Sequence, residues 1–390
     1  MRGSIIGPRV GIALAILAIF LGAACSGDGQ TDADSSSIAP AVIESQLPLD
    51  DIAGLERTGR FGPGLEFVLR LPDAWDGRLV VTFPDAASGP TALDQFGLER
   101  LGDGTAYASI AAIDAAEVGT VLAEAPAVFL AFVEFAEAEL AAHFGQAPES
   151  TYLFGVSAGA AQVLVLLEGS DPAVDGAVAV SPRGWEDVLR DYPTLVRGLV
   201  ELRPAHANLR TNSLSTLSEA ELALVQTLLD VGLPRGAAEA WPDSVPKWRD
   251  GIRYALSQID GSYEGDIDDY ALPGRPGDVR GAVADTSAEG DLTTRTIILQ
   301  GGDDVIALPS WSAAYVERVI EADRAPGLRR YVFPGASHNL TIPGEPAASL
   351  TARLERAWET LVGWVEDNLE PGPILGIAAD DTLSGIALSE

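Results

Sequence analysis

The chain has 390 residues, 47% of them hydrophobic and 21% charged, enough for one large α/β domain with an insertion or for two small domains. Its formal net charge is −32, so the surface repels nucleic acid and anionic lipid headgroups, which argues against a polyanion-binding role. Cys25 is the only cysteine, which excludes an internal disulfide.

The chain opens with a basic start, Arg2 and Arg9, followed by an apolar run from Val10 to Leu21 that is too short to span a membrane comfortably. The run ends Leu21-Gly22-Ala23-Ala24-Cys25. Small residues before a cysteine resemble the bacterial lipobox, which implies a signal peptide over residues 1–24, cleavage before Cys25 and diacylglyceryl attachment to its sulfur. An ordinary signal peptide with a chance cysteine is the plainer alternative. A lone thiol in an exported chain is better explained as a lipid anchor than as a structural or catalytic group. From Ser26 to about Ile38 there is almost nothing to bury, so residues 25–46 read as a flexible tether ahead of a folded domain over 47–370. The expected location is extracytoplasmic, with the membrane met only through the anchor.

Leu65 to Leu71 alternates as a half-buried strand, and Arg78 to Phe83 is a stronger one, cut off by Pro84. A helix is expected over Thr91 to Leu101, a strand over Ala106 to Ile110, and a long amphipathic helix over Glu117 to Phe144 that tolerates Pro126 near its start. Thr151 to Phe154 has the β-branched and aromatic residues of a buried strand, and Ala160 to Leu167 has helix formers. Gly176 to Val180 is a further short strand. From Arg183 to about Leu292 no strand pattern persists, and helical runs at Glu186 to Leu202, Ser218 to Val231 and Val245 to Ile259 read as a helical insertion. Alternation resumes with a strand over Thr294 to Leu299, a helix over Pro309 to Ala322, a strand over Leu328 to Phe333 and a closing helix over Ala347 to Asn368. Strands alternating with helices imply a mostly parallel, doubly wound α/β sheet covered on both faces. The tail over 371–390 has no assigned role.

The strand and helix around residue 157 enclose Gly155-Val156-Ser157-Ala158-Gly159. A strand that turns at once into a helix needs strained geometry at the corner, with glycines two before and two after it. The corner side chain is then pushed out at a helix N-terminus, where N–H groups face a developing negative charge. That is a nucleophile's position, although a bland glycine turn would satisfy the motif alone. A serine also needs a base. Of three histidines, His143 closes a helix, where a cation suits the dipole, and His206 lies in the insertion with nothing to bring it to the sheet. His338 follows the last strand in Pro334-Gly335-Ala336-Ser337-His338-Asn339, where ligands meet an open α/β sheet, and is the candidate base; a solvated loop histidine is the alternative. The orienting acid should come from the loop after the preceding strand, where Asp303 and Asp304 compete.

From about Leu65 to Asn368 the chain resembles the α/β-hydrolase superfamily, with a cap at about 183–292 in the place between the sixth and seventh strands. The family's Gly-x-x-Asp loop maps onto Gly301 to Asp304 and selects Asp304, with Asp303 as alternative. The resemblance implies an oxyanion hole from the N–H of Ala158 and a second N–H after the third strand. Many members carry His-Gly there. Here the residues are Phe83-Pro84, and since proline has no N–H, Asp85 or Ala86 must supply the donor. The implied activity is that of a serine hydrolase cleaving small-molecule or polymer carboxylic esters, resembling bacterial secreted lipoprotein esterases. A prolyl-oligopeptidase-like peptidase and a non-catalytic surface binding protein on the same scaffold are the rivals. No metal or organic cofactor is implied. The acidic stretch Asp260 to Ala271 spaces oxygens like a calcium loop but places Ala271 at the bidentate position, so a solvated loop is expected. Trp185, Trp241, Trp248 and Trp311 either line a substrate pocket or anchor the cap on the sheet, the latter being the more ordinary role.

Overall fold

The computed structural model describes residues 42–47, 52–62, 64–85, 89–91, 93–111, 125–169, 174–211, 213–346, 348–372, 374–375 and 385–387. The strands in chain order are β1 (Ile43–Gln46), β2 (Gly54–Phe61), β3 (Leu65–Pro72), β4 (Arg78–Phe83), β5 (Ala106–Ile110), β6 (Ser150–Val156), β7 (Gly176–Val180), β8 (Arg295–Gly301), β9 (Leu328–Phe333), β10 (Ile374–Leu375) and β11 (Gly385–Ala387). They form one sheet in the order β1-β2-β3-β5-β4-β6-β7-β8-β9-β11-β10. The central run from β5 to β9 is parallel throughout. Both flanks are antiparallel.

Period-two alternation along the central strands feeds two separate cores. Leu79 and Val81 of β4 belong to one, with Phe129, Phe132 and Leu140 from α2 (Ala125–Phe144) and Val163 and Leu167 from α3 (Ala158–Gly169). Val80 of the same strand belongs to the other, with Phe96 from α1 (Asp94–Gly102) and Trp358 and Leu361 from the closing helix Ala348–Glu366. Strands buried on both sides have no polar face, which is why β4 and β7 read as apolar runs. Each fully buried Leu, Val or Phe is worth about 1.5–3 kcal/mol over leaving it exposed, whereas surface ion pairs add about 0–1 kcal/mol, so these two layers hold the sheet.

The insertion lies between β7 and β8 of this numbering, in which β1 and β2 both precede the first strand expected from sequence, at Leu65. It contains α4 (Trp185–Glu201), α5 (His206–Arg210), α6 (Glu219–Val231), α7 (Trp241–Ile259) and α8 (Gly277–Ala284). In α4, Trp185, Val188, Leu189, Tyr192, Leu195, Val196 and Leu199 recur every three or four residues and are buried, the spacing of a helix with one apolar stripe. Helix α6 starts with a capping box between Ser218 and Glu221 and stops at Gly232, whose φ of 112° only glycine adopts readily. The closing helices are α9 (Pro309–Glu321) and α10 (Ala348–Glu366).

Some boundaries need correction. The expected tether over 25–46 runs too far: Ile43–Gln46 is a strand, paired from Ile43↔Thr58 to Gln46↔Leu55. All four of its residues are exposed, so pairing goes through the backbone and leaves no hydropathy signal. Two strands from the tail, β10 and β11, extend the sheet beyond β9. The expected helix from Glu117 is described only from Ala125, and its first part lies outside the described residues, as does Cys25.

Candidate active site

Ser157 sits between β6 and α3 with φ 56°, a left-handed conformation that is rare outside glycine. Its N–H donates to the Val180 carbonyl at 2.8 Å, and its own carbonyl accepts from Ala161 and Arg183, each at 3.1 Å. Both flanking glycines are required by close approach. A Cβ on Gly155 would lie 2.6 Å from the Gly159 oxygen, and one on Gly159 would lie 2.1 Å from the Phe83 oxygen. The elbow is therefore pressed against the end of β4, where the second oxyanion donor was sought.

Three loops at the C-terminal edge of the sheet meet over this corner. His338 Nε2 lies 2.9 Å from Ser157 Oγ, and His338 Nδ1 lies 2.9 Å from Asp304 Oδ2. With the proton on Nδ1 and donated to the carboxylate, Nε2 is left to accept from the serine hydroxyl. Ser157 and Asp304 are fully buried. Asp304 is locked in place: its Oδ1 accepts from the N–H groups of Ile306 at 2.8 Å and Ala307 at 2.9 Å, and its Oδ2 from Gln300 Nε2 at 3.2 Å. Asp303 faces the cap instead, close enough that a Cβ on Gly236 would lie 2.5 Å from its carboxylate. Burial and the charge of Glu239 push its carboxyl above the usual range.

The histidine loop is held from behind by residues that sequence patterns did not single out. Ser181 Oγ donates to the His338 carbonyl at 2.8 Å, and the buried Arg353 donates to the Leu340 carbonyl at 2.5 Å. Gln300 also donates to the Ala307 carbonyl at 3.0 Å and accepts from Ser312 Oγ at 2.8 Å. Gln300 ends an apolar strand just before the Gly-Gly-Asp-Asp loop, so a buried amide in that place was its only sequence signal.

Ala158 opens α3 and is buried, and the first N–H groups of a helix have no intrahelical acceptor. Asp85 follows β4, and its carboxylate lies 3.4 Å from Arg183 Nη2. Ala86 lies outside the described residues. The other histidines are elsewhere: His143 packs edge-on against Phe144 with ring centroids 4.6 Å apart, and His206 Nε2 lies 2.8 Å from the Leu199 carbonyl. All four tryptophans pack in one buried cluster, and Trp311 also borders a cavity with Pro182, Gly184 and Tyr315. Trp248 donates to the Val305 carbonyl at 2.7 Å, Trp241 to Pro234 at 3.1 Å and Trp311 to Asp191 at 2.7 Å, while Trp185 packs on Tyr254. The carboxylate of Asp260, which heads the acidic stretch, is occupied by Arg275 at 2.5 and 3.0 Å. Among the described residues no three His, Cys, Asp or Glu side chains are grouped to hold a metal ion, and no helix is long and apolar enough to cross a membrane.

No protein-family model matches the chain, and no curated protein matches it. Solved structures do. Feruloyl esterase B from Aspergillus oryzae aligns with a TM-score of 0.61 at 14% identity, over 86% of this chain and 86% of that one. An esterase from Aspergillus oryzae aligns at 0.57 and 12% identity, over 86% and 83%. Tannin acyl hydrolase from Aspergillus niger aligns at 0.51 and 12% identity, over 90% and 87%. At such identities the likeness is one of fold.

Proposed function

We propose, from the α/β-hydrolase fold of the chain and the geometry of its site, that the protein is a serine hydrolase acting on carboxylic esters. The observation that carries this reading is the relay Ser157–His338–Asp304, with both contacts at 2.9 Å. Ser157 Oγ attacks the acyl carbon as His338 Nε2 takes its proton, and Asp304 fixes the imidazole and stabilises the imidazolium that forms. The tetrahedral oxyanion is received by the N–H of Ala158 and by that of Asp85 or Ala86. Collapse breaks the bond to the alkoxide, which recovers the proton from His338. Water, deprotonated by the same imidazole, then releases the acyl group from Ser157.

Esters are preferred to amides because the structures aligned above are, by name, two esterases and an acyl hydrolase; this is analogy of fold. The lipobox-like sequence before Cys25 supports an extracytoplasmic, lipid-anchored location. A fluorophosphonate probe tests the chemistry. Labelling that disappears in Ser157→Ala is expected, and folded wild-type protein that stays unlabelled would instead favour a binding module. Hydrolysis of p-nitrophenyl esters set beside aminoacyl anilides separates esterase from peptidase. Cys25→Ser should move the protein from the detergent phase to the aqueous phase of a Triton X-114 extract, and no movement would remove the anchor.

A further inference from the structure

Arg183 is the first charged residue after β7, and it is tied to the site from two sides. Its backbone N–H donates to the carbonyl of Ser157 at 3.1 Å, which fixes it to the elbow. Its guanidinium reaches Asp85, at the end of β4, at 3.4 Å. It also lies over the Trp185 ring, 5.6 Å from the centroid. Burial pushes the Tyr192 phenol up, and the charge and hydrogen bond of the Arg183 guanidinium pull against it; the Tyr192 hydroxyl donates to the Ile306 carbonyl in the Asp304 loop. The guanidinium thus sits between the loop after β4 and the cap, on a residue whose backbone is bonded to Ser157.

Its charge is poorly matched where it sits. The side chain is 12% exposed, whereas that of Asp85 is 41% exposed. A contact of 3.4 Å is long for a charge-assisted bond, for which about 2.7–2.9 Å is usual. The Arg183 Nε is buried with no partner. Arg70 shows a closer pairing, with Glu56 at 2.8 Å, although Arg100, Arg318 and Arg353 also leave a buried Nε without a partner; what sets Arg183 apart is its place beside the loop after β4. A guanidinium does not escape desolvation by losing its proton, so an incompletely paired one costs stability unless an anion completes it.

We propose that Arg183 is a specificity-determining residue that receives an anionic group of the substrate, so that the preferred esters carry a carboxylate on the acyl side. This rests on the serine-hydrolase reading above. The site lies in a protein of net charge −32, whose overall field repels an anionic ester. A preference for the anion therefore requires a local cation, and its sign is diagnostic.

The test compares p-nitrophenyl monoesters of adipate, pimelate and suberate with their neutral methyl diesters, after subtraction of spontaneous hydrolysis. The ratio of kcat/KM for each anionic and neutral pair is taken within one enzyme, so any general loss in a variant cancels. Wild-type protein should favour the anion by about tenfold or more for at least one chain length. Arg183→Gln should bring that ratio to one or below, and Arg183→Lys should keep part of it. A wild-type ratio of one or less, or an unchanged ratio in a folded Arg183→Gln variant, overturns the assignment. Should the Gln variant not fold, the wild-type ratio is followed against NaCl: a charge contact weakens with salt, and a flat ratio above one overturns the proposal. If neither ester turns over and Ser157 is unlabelled by fluorophosphonate, the hydrolase reading fails and takes this inference with it.

Discussion

Replacing Gly159 by alanine tests whether the oxyanion loop is positioned by its contact with the nucleophile helix. The added methyl would lie 2.1 Å from the Phe83 oxygen and 2.5 Å from that of Pro84, where ordinary contact needs about 3.5 Å, so one side must retreat by about 1 Å. Helix α3 is the less able to move, since Ala160, Val163 and Leu167 are fully buried in the core. The strain falls on the Phe83–Pro84 backbone and displaces Asp85, a proposed donor. Loss of one oxyanion donor raises the barrier by about 2.7–4 kcal/mol, or about 10²–10³ in kcat, with KM little changed. Overpacking should also remove about 1–3 kcal/mol of stability. Ser157 itself is held by backbone bonds with Val180 and Arg183 and should keep its place. Steady-state kinetics on a p-nitrophenyl ester and thermal unfolding read both effects. Gly281→Ala, in exposed helix α8 with nothing within 4 Å of the added Cβ, controls for substitution as such and should be neutral or slightly stabilising. A folded Gly159→Ala protein with kcat within about threefold of wild type would refute the idea that this contact sets the donor.

Asp304→Asn should lower kcat by about 10⁴ through the wrong imidazole tautomer, while Asp303→Asn should leave it within about threefold; the reverse ranking in the ester assay would exchange their roles. Asp303 also predicts a pH effect. Burial and Glu239 raise its folded pKa, so its contribution to stability is full below the unfolded value of about 3.9 and is lost as pH rises through the raised one. Asp303→Asn should then melt slightly above wild type at pH near 7 and level with it at acid pH, the gain being small because the group is partly exposed; a lower melting temperature near neutrality would count against this. Gln300→Leu leaves the Ala307 carbonyl without that donor and takes one partner from Ser312 Oγ, which keeps Pro309 and Arg330, and should cost about 1–3 kcal/mol in urea unfolding. It should also lower kcat by about 10- to 100-fold as Asp304 loses a donor, so an unchanged urea midpoint would contradict the network.

What could be read from the chain depended on how local the determining physics is. Strands Arg78–Phe83, Ala106–Ile110, Gly176–Val180 and Leu328–Phe333 fall where their apolar runs place them, because each is packed on both faces. Strand β2 escaped notice because its outer residues are charged and held by partners distant in sequence: Arg57 meets Glu139 at 2.6 Å, and Glu56 meets Arg70 at 2.8 Å. The same division runs through the site. Ser157 lies in a five-residue pattern that fixes its own backbone, and His338 follows the last central strand. Asp303 and Asp304 could not be separated by spacing alone, since adjacent residues differ only in which way a turn throws them. Arg183 and Ser181 act across strands, on partners distant in sequence, whereas Gln300 bonds to the loop that follows it and the helix beyond, where only the folded turn brings Asp304, Ala307 and Ser312 to its amide.

Backbone strain gives a second view of how the site is held. Among the described residues with positive φ that are not glycine, Ser157 (56°), Ser181 (47°) and Leu340 (56°) all belong to the loops around the relay. Each such conformation costs about 1–3 kcal/mol, so each must be over-determined by its surroundings. Ser157 is hung from Val180, and Ser181 from Leu299, by 2.8 Å backbone bonds; Leu340 is held by the Ser337 carbonyl at 2.9 Å and by Arg353. Two of these anchors are carbonyls of neighbouring parallel strands, so the register of β7 and β8 fixes the corners at which the hydroxyl and the imidazole loop are presented. Parallel strands that end at one edge give a row of carbonyls there. The relay is set by that row.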